Sequence, residues 1–311
     1  MNRVGIIDLG TNTFHLLIAD EQEGGGYRII HRDRLSVKIG MGGINRGFVT
    51  SDALQRAMLA LQSFRNTLDG MKVRYTYAYG TSALRNARNR ASVVEAIRNL
   101  TGLDVTIISG DREAEYIYLG VRSALHLGDE QSLIMDIGGG SVEFIIADNN
   151  NIYWKESIEI GAQRLLEKFQ RHDPILTKEV RALNTFLDEK LATLREAMEA
   201  YNPRVLVGSS GTFDTLSDIF CEAHDIHKSP EEVETPLTLE GFHAIYHDLL
   251  SKNREQRMLI PGMIEMRVDM IVVACCLISR VLHSHAFDRI RVSTYSLKEG
   301  VLASMNKAVA V

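Results

Sequence analysis

Two six-residue stretches carry the same residue types at the same spacing. Asp8-Leu9-Gly10-Thr11-Asn12-Thr13 and Asp136-Ile137-Gly138-Gly139-Gly140-Ser141 both read D-x-G-x-x-[ST]. Glycine tolerates positive φ and close backbone approach, so such a turn can aim several N–H groups at one anion, and the terminal hydroxyl adds a donor. The aspartate only accepts, which suits it to a cation or a cation-bound water rather than to phosphate. A single turn of this kind is an ordinary hairpin connection. Two of them, each closing one apolar strand and opening another, predict a paired phosphate-binding device.

The elements needed to hold these turns are legible as alternating β-branched runs and amphipathic helical stretches, the pattern of an α/β architecture. The first half reads as strands over 4–8, 13–20, 27–32 and 35–39, then a helix capped at Thr50 or Ser51 and ending at Gly70. Strands over 73–79 and 105–108 follow, with helices over 91–100 and 112–125. The pattern then restarts: strands over 132–136, 142–147 and 152–160, helices over 161–169 and 177–200, and a strand over 204–207 running into Gly208-Ser209-Ser210-Gly211-Thr212. Residues 238–284 read as mostly helical, 290–293 as a short strand and 297–305 as a last helix. The expected organisation is two similar α/β domains facing each other across a cleft, residues 1–124 and 125–296, with the helix in 297–311 packing back on the first.

Composition excludes several classes. The chain has 311 residues, 45% hydrophobic and 24% charged, with only 5 prolines, which fits about two globular domains and no low-complexity segment. Lys and Arg number 35 against 40 Asp and Glu, a net charge of −5, so a duplex-DNA binder with a basic face is not expected. The longest apolar run, 270–278, is too short to span a bilayer, and residues 4–7 are too few for a signal-peptide core. Cys221, Cys275 and Cys276 lack CxxC spacing, which predicts no disulfide framework and fits a reducing cytoplasm. Cys275-Cys276 read as core, and His243, His247, His224-Asp225 and His247-Asp248 as surface or capping residues rather than a metal phosphohydrolase set.

The paired turns resemble those of the sugar-kinase, heat-shock-protein-70 and actin superfamily. Further motifs narrow the resemblance: Thr81-Ser82-Ala83-Leu84-Arg85, Ile108-Ser109-Gly110 with Glu113-Ala114, Glu143 after the Gly138-Gly139-Gly140-Ser141 turn, the segment 208–212, Arg267 with Asp269, and Leu297-Lys298-Glu299-Gly300. Together they are similar to the exopolyphosphatase and guanosine-pentaphosphate phosphohydrolase family, Ppx/GppA, over nearly the whole chain. The resemblance implies two actin-like (ribonuclease H-like) domains and hydrolysis of a terminal phosphoryl group from inorganic polyphosphate or from the 5′ end of pppGpp, with Mg²⁺ as cofactor. It places Glu113 as the catalytic glutamate that prepares water, Asp136 and Glu143 as the acidic pair near metal and water, and Arg85 as the phosphate grip. The expected phosphate-binding set is Gly10, Thr11, Asn12, Thr13, Lys38, Arg85, Gly138, Gly139, Gly140, Ser141, Gly211, Thr212 and Arg267. Phosphoryl transfer asks for this kind of equipment, since it depends on positioning and charge neutralisation more than on covalent help.

Two departures from the family pattern bear on substrate. Lys38-Ile39-Gly40 stands where Arg-Leu-Gly is common, replacing a bidentate fork by a point charge, and Val142 replaces a threonine. The chain also ends at Val311, without the helical extension of larger members. The expectation is therefore non-processive release of single phosphates in the short two-domain form, with a homodimer allowed. A small-molecule kinase or ATPase of the same superfamily, using 208–212 for adenosine, and a non-catalytic phosphate or nucleotide sensor are the alternatives. The presence of Glu113, Asp136 and Glu143 disfavours the sensor.

Overall fold

A computed structural model describes residues 2–229 and 231–306. Two mixed sheets form the frame. The first holds β1 (Arg3–Leu9), β2 (Thr13–Glu21), β3 (Tyr27–Ser36), β4 (Tyr75–Gly80) and β5 (Val105–Ile107) in the order β3-β2-β1-β4-β5. The second holds β6 (Ser132–Ile137), β7 (Val142–Ala147), β8 (Ile152–Ile158), β9 (Val205–Ser209), β10 (Glu234–Thr235) and β11 (Arg289–Ser293) in the order β10-β11-β9-β6-β7-β8. In each, three strands form an antiparallel meander and the first of them pairs in parallel with a strand from further along the chain. Apart from the short β10, the second sheet repeats the topology of the first, and the two D-x-G-x-x-[ST] turns occupy the same place in both.

That repeat fixes which residues correspond. Asp8 lies opposite His15 across the β1–β2 pair, and Asp136 lies opposite Glu143 across β6–β7. Cross-strand partners share a face of the sheet, so the second half sets two carboxylates side by side where the first sets a carboxylate and an imidazole.

Burial follows the period of each element. β6 and β7 are buried at every residue, as befits strands covered on both faces, whereas β3 on the edge is half-exposed throughout. The helix Ser51–Gly70 starts at Thr50, whose hydroxyl accepts from the Ala53 N–H, and buries Ala53, Ala57, Ala60, Leu61, Phe64 and Leu68 at helical spacing. The segment 35–39 does not form a separate strand: β3 ends at Ser36, and Val37 and Lys38 donate their N–H groups to the Asn12 carbonyl, which bends the chain over the first turn. The helix expected over 177–200 breaks into Thr177–Lys190 and Ala192–Tyr201. The helical region 238–284 resolves into Leu239–Ser251, Arg254–Met258, Glu265–Val268 and Ile271–Ser284, the last packed at the centre of the second half with Cys275 and Cys276 fully buried.

The helix Gly110–Ala124 joins the two halves and is crossed by the helix Leu297–Ser304. At the crossing a Cβ on Gly120 would fall onto the Ser296 carbonyl and one on Gly300 onto the Tyr116 carbonyl, so the backbones touch there and only glycine fits. Residues 307–311 of the expected terminal helix lie outside the described residues. Among the described residues no helix is long and apolar enough to cross a membrane.

Candidate active site

The two glycine turns meet face to face. A Cβ on Gly139 would lie 2.7 Å from Asn12 Nδ2, and one on Gly140 would collide with Ser82 Oγ and Thr11 Oγ1, so glycine is what allows the loops of opposite halves to approach. Between them is a cavity of about 100 Å³ whose wall includes Gly10 to Thr13, Ser82, Glu113, Asp136 and Gly138 to Ser141. Room of that size holds about three waters or one phosphoryl group. Gly211 and Arg267 also line it. The Arg267 guanidinium lies directly over Gly211, where a side chain would displace it, and its buried Nε has no partner among the described residues.

Acidic groups occupy the floor. Asp136 is held by its neighbours: its carboxylate accepts from Ser209 Oγ at 2.9 Å and from Ser210 Oγ at 2.7 and 2.8 Å. Ser210 opens the helix Ser210–Ala223 with φ of 71°, a conformation rare for a residue with a side chain and retained here where it aims the hydroxyl at Asp136. Burial raises the Asp136 carboxyl, with the Ser210 and Ser209 hydrogen bonds pulling it back. Asp8 also lines the cavity; its Oδ1 is shielded from water without a partner among the described residues. Burial pushes its carboxyl up to about 7 against the opposing charge of Lys298, with Asp136 adding to the rise. Glu113 sits in the first turn of the Gly110–Ala124 helix, behind the Ser109 cap, and receives the Arg85 Nη1 at 2.6 Å. Burial raises its carboxyl, and the Arg85 charge opposes the shift.

Not every expected residue reaches the cavity wall. Glu143 is buried beside Asp136, its Oε1 accepting from Ser157 Oγ at 2.6 Å, and it lies behind the wall rather than on it; burial and the charges of Glu113 and Asp136 raise its carboxyl well above the usual range. Arg85 stands behind Glu113, donating also to the Ile108 carbonyl at 3.3 Å and to Glu159 at 3.1 Å. Thr212 is buried within its helix. Lys38 donates to Asp269 at 3.2 Å, and Asp269 accepts from Arg254 at 2.8 Å, a surface ion-pair chain joining the two halves outside the cavity. Other residues take the wall instead: Arg34 from β3, Asp214 from the second half, and Lys298 from the C-terminal helix that packs on the first half. Asp214 Oδ1 is buried and unpartnered among the described residues, and burial pushes its carboxyl up to about 7 against the charges of Lys298 and Arg267. His15 lines the same corner, and burial together with Lys298, Arg267 and Arg34 lowers its basicity well below the usual range. Arg32 and Arg34 sit two apart in β3, opposite Leu17 and His15, a spacing that places them on one face and is legible in the sequence, whereas a bulge at Ile30 turns Arg28 to the other face.

Arg34, His15, Asp214, Thr294 and Lys298 also border an outer chamber of about 800 Å³, so the two spaces adjoin at these residues. The chamber mixes Arg28, Arg32 and Lys228 with Asp33, Asp218, Glu231 and Glu232. The Arg32 guanidinium covers the Tyr295 ring at 5.3 Å.

Oxygen donors at the cavity suit a hard divalent cation. Asp8 presents a free carboxylate oxygen and Asp136 an ordered carboxylate, while among the described residues no three His, Cys, Asp or Glu side chains are gathered closely enough to form an all-protein cage. Mg²⁺ commonly takes one or two carboxylates and completes its shell with water and substrate phosphate.

The chain and its fold have counterparts among known proteins. The profile of the Ppx/GppA phosphatase family matches residues 17–309. Exopolyphosphatase 1 of Mycobacterium tuberculosis is 24% identical over 301 residues, covering 96% of this chain and 87% of its own. The guanosine-5′-triphosphate,3′-diphosphate pyrophosphatase of Pseudoalteromonas translucida is 27% identical over 308 residues, 98% of this chain and 59% of the longer relative. Among solved structures, an exopolyphosphatase from Cytophaga hutchinsonii superposes with a TM-score of 0.95 at 44% identity, covering 98% of this chain and 97% of that one. A Ppx/GppA family member from Aquifex aeolicus does so with a TM-score of 0.79 at 25% identity, over 98% and 97%.

Proposed function

The chain belongs to the Ppx/GppA phosphatase family, with its actin-like two-lobed fold, and from that premise we propose that it hydrolyses the terminal phosphoanhydride of inorganic polyphosphate or the 5′-terminal anhydride of pppGpp in the cavity between the two glycine turns. The observation that carries this reading is the convergence of turns from both halves on a space of one phosphoryl group, with Glu113 and Asp136 on its wall. In this reading the backbone N–H groups of the turns, the hydroxyls of Thr11, Thr13 and Ser141 and the Arg267 guanidinium hold the terminal phosphoryl oxygens. Glu113 accepts a proton from the attacking water as its oxygen bonds to phosphorus and the bridging P–O bond breaks. Its elevated proton affinity, set by burial, suits a base working near neutral pH. Arg85 keeps the Glu113 carboxylate oriented.

Asp8 and Asp136 are the residues that fit Mg²⁺, with Glu143 behind them as a buried support. When bound there, the ion supplies charge neutralisation to the phosphate oxygens. The remainder of the substrate leaves the cavity past Arg34, Lys298 and Asp214 into the outer chamber. Lys38, engaged by Asp269, stands outside this route, while Arg85, engaged by Glu113 and Glu159, stands beside the cavity with its Nη2 3.4 Å from Ser141 Oγ. Because the chamber carries both signs of charge, it supports release after each cleavage rather than retention of a long polyanion. The free buried thiols fit a reducing cytoplasm.

The test is phosphate release from tripolyphosphate, long-chain polyphosphate, pppGpp and ATP in Mg²⁺ buffer, with gel analysis of partially digested polymer. Release from polyphosphate or pppGpp far above that from ATP, and a ladder of intermediate lengths, is expected. Turnover of ATP alone overturns the substrate reading, and full-length polymer persisting beside free phosphate overturns non-processive release.

A further inference from the structure

One side of the seam between the two halves holds an anion site that is already filled. Ser82 Oγ donates to Glu159 Oε2, Arg85 Nη2 to Glu159 Oε1 at 3.1 Å, and Arg164 Nη2 to Glu159 Oε2 at 2.9 Å. Two guanidinium groups and a hydroxyl thus converge on one carboxylate. Ser82 and Arg85 come from the first half, Glu159 and Arg164 from the second. The same side is fastened by Arg164 Nη1 on the Ile44 carbonyl at 2.9 Å, by the Gly42 N–H on Glu167 Oε1 at 2.9 Å, and by Asn45 Nδ2 on Glu167 Oε2 at 3.2 Å. Ser82 also lines the reaction cavity, so the filled site abuts the position of the terminal phosphoryl group.

The charges explain why this is a latch rather than a permanent weld. The Arg85 and Arg164 side chains are largely covered, at 16% and 14% exposure, but Glu159 retains 37%. A carboxylate so exposed keeps much of its hydration and gains little from its partners. A phosphate group brings more charge and three or more acceptor oxygens to the same donors, and forked guanidinium contacts favour it.

We propose that Glu159 is a displaceable latch, its carboxylate occupying a phosphate-binding site made by Ser82, Arg85 and Arg164 and holding the two halves closed until a phosphate group takes its place. The inference rests on the reading of the cleft as a phosphate site. In the closed state Arg85 is shared between Glu113 and Glu159; once Glu159 leaves, Arg85 gains a phosphate partner on Nη2 and keeps Glu113 on Nη1. Arrival of substrate thus changes the interlobe contacts and the surroundings of Glu113 in one event.

Calorimetric binding of inorganic phosphate to the full chain tests this directly. Glu159→Gln keeps the size of the side chain but removes its charge, and is expected to tighten phosphate binding about five- to tenfold, with KM for tripolyphosphate falling in parallel. Adding Arg164→Ala to Glu159→Gln is expected to cancel that gain, as a shared site requires. If Glu159→Gln does not fold, Glu159→Asp carries the test, since the shorter side chain retreats from both guanidinium groups; a two- to threefold tightening is expected. Phosphate bound no more tightly by the folded variant than by the wild type overturns the latch. The proposed function stands or falls separately, on whether the wild type hydrolyses tripolyphosphate, and the phosphate affinities decide the latch in either case.

Discussion

Replacing Glu113 by glutamine separates a chemical role from a structural one. Glu113 is 7% exposed, receives the Arg85 Nη1 at 2.6 Å and stands in the first turn of its helix, so the amide fits the same space and its oxygen still accepts from Arg85. What the variant loses is the proton-accepting carboxylate. A positioned general base is worth about 10² to 10⁴ in rate, which corresponds to roughly 3 to 5 kcal/mol of barrier. Stability should move the other way. The Glu113 carboxyl has a raised proton affinity in the folded state, so holding it ionised above neutral pH costs the native state, and the neutral amide removes that cost. The expected result at pH 8 is therefore a melting temperature equal to or above that of the wild type, a KM within about threefold, and kcat lower by at least a hundredfold. Phosphate release under saturating tripolyphosphate and thermal melts on the same samples provide both readings. A variant that retains turnover within about threefold removes Glu113 from the proton-transfer step. One that loses both activity and several degrees of stability shows that the residue serves the fold instead.

Asp8 has its carboxyl pushed up to about 7 when folded, so its contribution to stability is present below about pH 4 and lost as pH rises towards 7, about 4 kcal/mol in all; Asp8→Asn should therefore gain stability relative to wild type between pH 5 and pH 8 in paired melts. Mg²⁺ should raise the wild-type melting temperature more at pH 8 than at pH 5, and Asp136→Ala should abolish that rise, whereas an unchanged rise would exclude Asp136 as a ligand. Lys298→Ala should raise KM for tripolyphosphate by about tenfold or more while Lys38→Ala changes it less than about threefold, and the reverse order would return the substrate path to the Lys38 side.

The architecture was legible because its main signal is local and repeated: an apolar strand ending in Asp, a glycine turn, a second strand, twice over. The spacing even carries the pairing of Asp136 with Glu143, since both turns have equal length. The assignment of cationic residues was harder to read for a physical reason. Lys38 finds Asp269 and Arg85 finds Glu159, partners 231 and 74 positions away, and nothing near either arginine or lysine in the chain announces a carboxylate waiting across the seam. Thr212 was placed at the cavity by its motif, yet one helical step beyond Gly211 rotates it into the core. Arg34 and Lys298 lie on the cavity through the closing of two halves, a relation that no single periodicity encodes. Asp214 carried no signal of its own: it lies between Phe213 and Thr215, both buried, in a helix that also carries Asp218 and Glu222.

The contact between Gly120 and Gly300 has a mechanical consequence. Ordinary helix pairs are geared by side chains seated in each other's grooves, and changing their angle means unseating them. Here the two rods bear on each other at backbone, with Ser296 and Tyr116 carbonyls as the bearing surfaces and no side-chain teeth at the point of contact. Such a joint sets the two backbones at close range, and the flanking apolar residues of both helices stay buried together around it. A methyl group at either glycine would act as a spacer between the rods, so the crossing distance, and with it the seat of Lys298 on the cavity wall, depends on two missing side chains.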